Sequence, residues 1–210
     1  MLKANENLMT VAVIAAIATT LLITATSADA EGKRHRGNAE HKTTQQFNRL
    51  DTNEDEILAL SELLTPALIK TENKFNSADT DEDGFLTFEE ATAGLYGNNG
   101  LSGIAEEIVQ CVADTVAETA NELINELTVD NFQSPQDKFD NKDTSLDSLL
   151  DLTEMLDAKT AQVISTFANM DNDGSDTVSF DEYLLYKQQR QATRRAVKSC
   201  VDELTDDEEV

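Results

Sequence analysis

Residues 79–90, DTDEDGFLTFEE, constrain this chain more than any other stretch. Asp79, Asp81 and Asp83 alternate, Gly84 follows at once, and Glu90 stands twelfth counted from Asp79. Carboxylates at that spacing on a tightly wound loop converge on one point, an arrangement suited to a hard divalent cation, which takes six to eight oxygens at about 2.3–2.6 Å. Asp79, Asp81 and Asp83 supply the first three, Phe85 at the seventh position its backbone carbonyl, Thr87 at the ninth a held water, and Glu90 both carboxylate oxygens. Gly84 permits the sharp turn between them. A solvated acidic turn is the plain alternative for a single such stretch.

Three further copies count against that alternative. In residues 51–62, Asp51, Asn53, Asp55 and Glu62 hold the ligand places, Ile57 the seventh-position carbonyl and Leu58 the apolar eighth position. Residues 171–182 repeat the order with Asp171, Asp173, Ser175, Thr177, Val178, Ser179 and Glu182. A less obvious copy at 143–154 has Asp143, Ser145, Asp147, Leu149, Leu150, Asp151 and Glu154. A phenylalanine precedes each loop by four residues: Phe47, Phe75, Phe139 and Phe167. The loops starting at 51 and 79, and at 143 and 171, share one offset of 28 positions (79 − 51 and 171 − 143), so the repeats group two by two.

The four repeats resemble the loops of the EF-hand superfamily, over four loops and their flanking helices, somewhat more than half of the chain beyond residue 30. The compact spacing is more similar to small exported bacterial EF-hand proteins than to calmodulin. The resemblance implies Ca²⁺ as the ion and an all-α fold: two pairs of helix-loop-helix units, with eighth-position residues joined in short antiparallel ladders, Leu58 with Leu86 and Leu150 with Val178. Three loops depart from the family pattern, with Glu56, Ser148 and Asp176 at the sixth position in place of glycine. A non-glycine residue at positive φ costs on the order of 1 kcal/mol, so weaker binding is expected there, and loop 79–90, with four ionised ligands, is expected to be tightest.

Along the chain, residues 1–30 have the pattern of an export signal: Lys3, an uncharged run over 7–28, and Ala28-Asp29-Ala30 as a small-x-small cleavage site. An uncleaved membrane anchor formed by residues 7–28 is the competing expectation. Residues 31–42 are basic and polar, expected to be disordered, and hold both histidines, His35 and His41. A first helix is expected from Thr43 or Thr44, either of which suits an N-cap. The first pair of units then covers 43–95, with Thr65-Pro66 ending one short helix and starting the next. A glycine- and asparagine-rich break follows from Tyr96 to Gly103. Within the linker 96–134, Ile104, Ile108, Val112, Val116, Leu123 and Leu127 recur at helical spacing and predict one long amphipathic helix. The second pair covers 135–195. Ser134-Pro135 opens it, Asp157 is a candidate cap for a helix over 158–168, and Val163, Ile164 and Phe167 form one apolar face. The last helix starts near Phe180, and 196–210 hold its end and an acidic tail.

The net charge of −25 favours cations and disfavours nucleic acid as a partner. Cys111 and Cys200 are the two cysteines; a disulfide and a pair of buried thiols are both open on sequence alone. No phosphate loop or nucleophile elbow is present in the sequence, and an enzyme is not expected. The chain reads as a periplasmic or secreted calcium-binding protein acting as a buffer or calcium-stabilised binder. The alternative is a sensor or adaptor that exposes an apolar groove and holds a protein partner there or through the inserted helix.

Overall fold

The computed structural model describes residues 32–93 and 101–206. The export or anchor segment, the stretch 94–100 and the final residues 207–210 lie outside the described residues. Helix dominates, in the order α1 (Gly32–Leu50), β1 (Ile57–Leu58), α2 (Leu60–Ala78), β2 (Phe85–Leu86), α3 (Phe88–Thr92), α4 (Ala105–Thr119), α5 (Pro135–Asp140), β3 (Leu150–Asp151), α6 (Leu152–Ala168), β4 (Val178–Ser179) and α7 (Phe180–Asp206). Short 3-10 turns at Leu101–Ile104 and Val129–Phe132 flank α4 and its return segment.

The loops pair differently from the expected order. β1 runs antiparallel to β4, with Leu58 opposite Val178, and β2 runs antiparallel to β3, with Leu86 opposite Leu150. The expected partners, Leu58 with Leu86 and Leu150 with Val178, are therefore apart. The cause is the continuity of the connecting helices. Nineteen residues of α2 make a rod of roughly 28 Å, which holds loop 51–62 and loop 79–90 at opposite ends. The seventeen residues of α6 do the same for loops 143–154 and 171–182. The two rods pack on each other, and the ladder registers make them antiparallel, so each end of the pair carries one ladder.

Both rods overrule a local signal. Pro66 sits inside α2, where it removes the N–H that would bond Glu62, a defect of about 3 kcal/mol in a helix interior. The helix continues because its two ends are buried separately. Leu60 and Leu63 pack into a core with Phe47, Leu58, Phe167, Met170, Val178 and Tyr183, while Phe75 and Ala78 pack into a second core with Leu86, Phe139 and Leu150. In α6 the cap is Asp151, whose carboxylate accepts the Glu154 amide at 2.8 Å, and Asp157 is interior. Ile164 is 48% exposed, so only Val163 and Phe167 of the expected face are buried. Ser134 does cap α5 with Pro135 at its first turn, as its sequence indicates.

Two other helices differ at their ends. α1 begins at Gly32, through the segment expected to be disordered, and neither Thr43 nor Thr44 caps it; Thr44 instead donates its hydroxyl to the Glu40 carbonyl one turn back. The inserted helix stops at Thr119, where Ala120 turns left-handed at φ 48°, rather than running on to Leu127. Ile124 and Leu127 still reach the same core as Ile108 and Val112, but from a returning segment that Thr193 pins by accepting the Asn125 amide at 2.8 Å.

That third core lies between α4 and α7 and includes the Cys111–Cys200 disulfide, with Cα atoms 5.9 Å apart across 89 positions. Such a bond points to an oxidising, extracytoplasmic compartment. Among the described residues no helix is long and apolar enough to cross a membrane.

Two measurements check this architecture. In urea melts, Leu86→Ala and Leu150→Ala should show a coupling of about 0.5–3 kcal/mol, whereas Leu58→Ala and Leu86→Ala should add within about 0.5 kcal/mol. Replacing both cysteines by alanine should cost about 3–5 kcal/mol, read as a lower urea midpoint.

Candidate metal centres

Each acidic loop begins where a helix has already supplied its first bond. The amides of Asp51, Asp79, Asp143 and Asp171 donate to the carbonyls of Phe47, Phe75, Phe139 and Phe167, at 2.9–3.1 Å. The four phenylalanines are themselves buried, so each entry helix is fixed to a core immediately before its loop. At the eighth position Leu58, Leu86, Leu150 and Val178 are 0–2% exposed and tie the loop midpoint to the ladder.

Between those anchors all four loops share one polar frame. The first-position aspartate accepts the amides of positions five and six: Asp51 from Asp55 and Glu56, Asp79 from Asp83 and Gly84, Asp143 from Asp147 and Ser148, Asp171 from Ser175 and Asp176. Asp55, Asp83 and Asp147 then accept the amides of Ile57, Phe85 and Leu149. In the fourth loop Ser175 replaces that aspartate and donates its hydroxyl to the Thr177 carbonyl at 3.1 Å, joining two expected ligands to each other. Ser145 similarly bonds Asp143. Asn53, Asp81 and Asp173 accept the position-five amide.

The twelfth-position glutamate closes each loop on both sides. One oxygen of Glu62, Glu90, Glu154 and Glu182 accepts the position-two amide of Thr52, Thr80, Thr144 and Asn172, at 2.8–3.0 Å. The other accepts the position-nine amide of Ala59, Thr87, Asp151 and Ser179, at 2.9–3.1 Å. Thr87 and Ser179, expected to hold water, instead make reciprocal bonds with Glu90 and Glu182 as helix caps, and Asp151 caps through its carboxylate. Their legible signal is a capping box, a hydroxyl or carboxylate residue three before a glutamate. The hydroxyls of Thr52, Thr80 and Thr144 add a bond to the same glutamates; threonine at the second position in three of four loops is the signal that marks them.

These bonds set the acidity of the closing carboxyls. Glu90 is lowered to about 2 by the Thr87 amide, the Thr80 hydroxyl and amide, and the Thr87 hydroxyl. The Ser179 amide leads the lowering of Glu182 against the opposing effect of burial. For Glu62 and Glu154 burial is the largest influence and acts upward, yet their several amide and hydroxyl donors still hold the carboxyl below its ordinary value.

Backbone conformation separates the loops into two kinds. The sixth position is left-handed in all four, at Glu56, Gly84, Ser148 and Asp176, and so is the fourth, at Glu54, Glu82, Leu146 and Gly174. Loops 51–62 and 143–154 therefore carry two non-glycine residues in this region, whereas loops 79–90 and 171–182 carry one each, a difference of roughly 1 kcal/mol or more of backbone strain per loop. The same two less strained loops bring three carboxylates together within 4.8 Å: Asp79, Asp81 and Asp83 in one, Asp171, Asp173 and Glu182 in the other. Each ladder joins one loop of each kind. The donor set, hard oxygens converging from a closed loop, fits a divalent cation that prefers oxygen. Of the histidines, His41 pairs with Gln45 on an exposed helix face, away from these loops.

No protein-family model matches the chain, and no curated protein or solved structure is significantly similar to it.

A chelator-treated sample should show the consequence of the low Glu90 carboxyl. Its charge stabilises the fold fully above about pH 4.5 and that contribution is lost as pH falls toward about 2. Thermal midpoints measured across this window should fall less steeply for Glu90→Gln than for the native chain.

Proposed function

We propose that this is an exported, EF-hand-type calcium-binding protein whose four loops take up Ca²⁺ outside the cytoplasm and whose primary role is as a buffer or calcium-stabilised binder. The observation that carries the proposal is the common frame of the four loops: the same first-position aspartate and twelfth-position glutamate, the same two left-handed positions and the same buried eighth position. The first-position aspartate, the third- and fifth-position side chains, the seventh-position carbonyl and the twelfth-position glutamate would hold the ion. Bound Ca²⁺ would offset the mutual repulsion of these carboxylates and so stabilise the folded chain. The chain acts by binding and not by catalysis, and it resides in the periplasm or the medium, consistent with the Cys111–Cys200 bond.

The scarcity of methionine supports a buffer. Met170 is 2% exposed and Met155 is part of the second core, so neither offers the adaptable groove that versatile sensors use. A sensor is favoured by one feature, a cleft along the outer face of α2 where Pro66 and the 55% exposed Ile69 lie beside Thr80 and Glu90. An apolar dye titrated with Ca²⁺ in the presence of Mg²⁺ separates the two roles: a flat or falling signal is expected, and a sharp calcium-dependent rise would instead assign a groove that opens.

Glu90→Gln should remove the contribution of loop 79–90 to total calcium uptake, with loop 171–182 retaining the next strongest binding. Near-complete loss of uptake in this single variant would mean that the other loops do not bind.

A further inference from the structure

From Tyr183 to Val201, α7 contains no acidic residue while holding Lys187, Arg190, Arg194, Arg195 and Lys198, in a chain whose net charge is −25. Among the described residues the single ion pair is Lys198 with Asp202, so neither Arg190 nor Arg194 is ion-paired. Both line a cleft of about 710 Å³ between α7, the end of α6 and the segment that returns from α4. Alongside them stand the amides of Asn125, Asn169 and Gln189 and the ring of Tyr186. Within the described chain those three side-chain amides make no hydrogen bond. The Arg190 guanidinium lies 5.7 Å over the Tyr186 ring, which holds it by a cation–π contact and leaves its N–H fork open. One carboxylate, Glu126, lines the same wall.

The wall is built rather than incidental. Thr193, 9% exposed, accepts the Asn125 amide at 2.8 Å and donates to the Gln189 carbonyl at 2.9 Å, tying the return segment to α7 at the cleft floor. The disulfide and the third core hold the neighbouring turn of the same helix.

We propose that this cleft binds a small polyhydroxylated oxyanion, of the class of sugar acids and sugar phosphates. Two arginine forks suit a planar carboxylate or a phosphate, since guanidinium pairs with either through parallel N–H bonds. Amides that both donate and accept suit vicinal hydroxyls, while the half-buried Tyr186, packed against the first core, holds Arg190 in place beside them. The volume matches a ligand of one or two sugar units. Against a field that repels anions elsewhere, a concave positive site concentrates them locally. The site is separate from the acidic loops and stands independently of the calcium assignment.

Calorimetry on the full disulfide-bonded chain, at fixed Ca²⁺ and ionic strength, tests it with galacturonate, glucose 6-phosphate, glucose and sulfate. Galacturonate, glucose 6-phosphate or both should bind roughly tenfold or more tightly than glucose and sulfate, because the charged and hydroxyl contacts act together. Whichever of the two binds identifies the oxyanion. The Arg190→Gln/Arg194→Gln variant should lose about tenfold or more, and Gln189→Ala should lose affinity for the sugar acid without altering the response to sulfate. Arg49→Gln, a surface change on α1, serves as the charge control and should leave binding unchanged. Sulfate binding as well as the sugar acids would overturn the polyol assignment. Absence of binding by both acids, or equal losses in Arg49→Gln and the double variant with native helicity retained, would overturn the site.

Discussion

Two rods of fixed length impose the arrangement on which everything else depends. α2 and α6 each separate two acidic loops by a helix too stiff to let them meet, so a loop can complete its ladder only with a loop from the other rod. The result is a closed circuit, in which loop 51–62 connects through α2 to loop 79–90, across a ladder to 143–154, through α6 to 171–182, and across the second ladder back to the start. Each ladder contributes two fully buried aliphatic side chains, and burial of such a side chain stabilises by roughly 1.5–3 kcal/mol. The two end cores are thereby coupled through both rods.

Within that circuit the strain is distributed unevenly. Each ladder pairs a loop with two left-handed non-glycine residues and a loop with one, and the latter kind also gathers three carboxylates at close range. The strained loops are compensated locally: Asp51, Glu62, Asp143 and Glu154 are buried and hydrogen-bonded by backbone amides. Preorganisation of this kind fixes the acidic side chains through neutral donors, so the loops keep their shape despite the like charges they hold.

The remainder of the chain makes a different kind of surface. The inserted α4, its return segment and the second half of α7 form a third core, closed by a disulfide, that is set apart from the acidic loops in composition as well as position. Its α7 face is basic in a chain whose net charge is −25. A long terminal helix thus carries two chemistries, with Glu182 closing a loop at its start and Arg190 and Arg194 lining a cleft further along.

The loops themselves were legible in the sequence, because their chemistry is local: the alternating carboxylates, the closing glutamate, the preceding phenylalanine and the apolar eighth residue all act within about sixteen positions. Helical content and the Ser134-Pro135 start followed from the same short-range rules. What lay beyond those rules was decided by packing. Pro66 and Asp157 signal helix boundaries locally, but burial of Leu60 and Phe75 at the two ends of α2 and of Val163 and Phe167 along α6 makes each rod continuous. Ala120 carries no glycine-like mark, so the end of α4 depends on Asn125 of the return segment meeting Thr193, sixty-eight positions beyond Asn125. Sequence alone determined that each acidic loop would form; only the tertiary structure decided which loops would meet, because that depends on the length and direction of helices whose continuity is enforced by contacts distant in the chain.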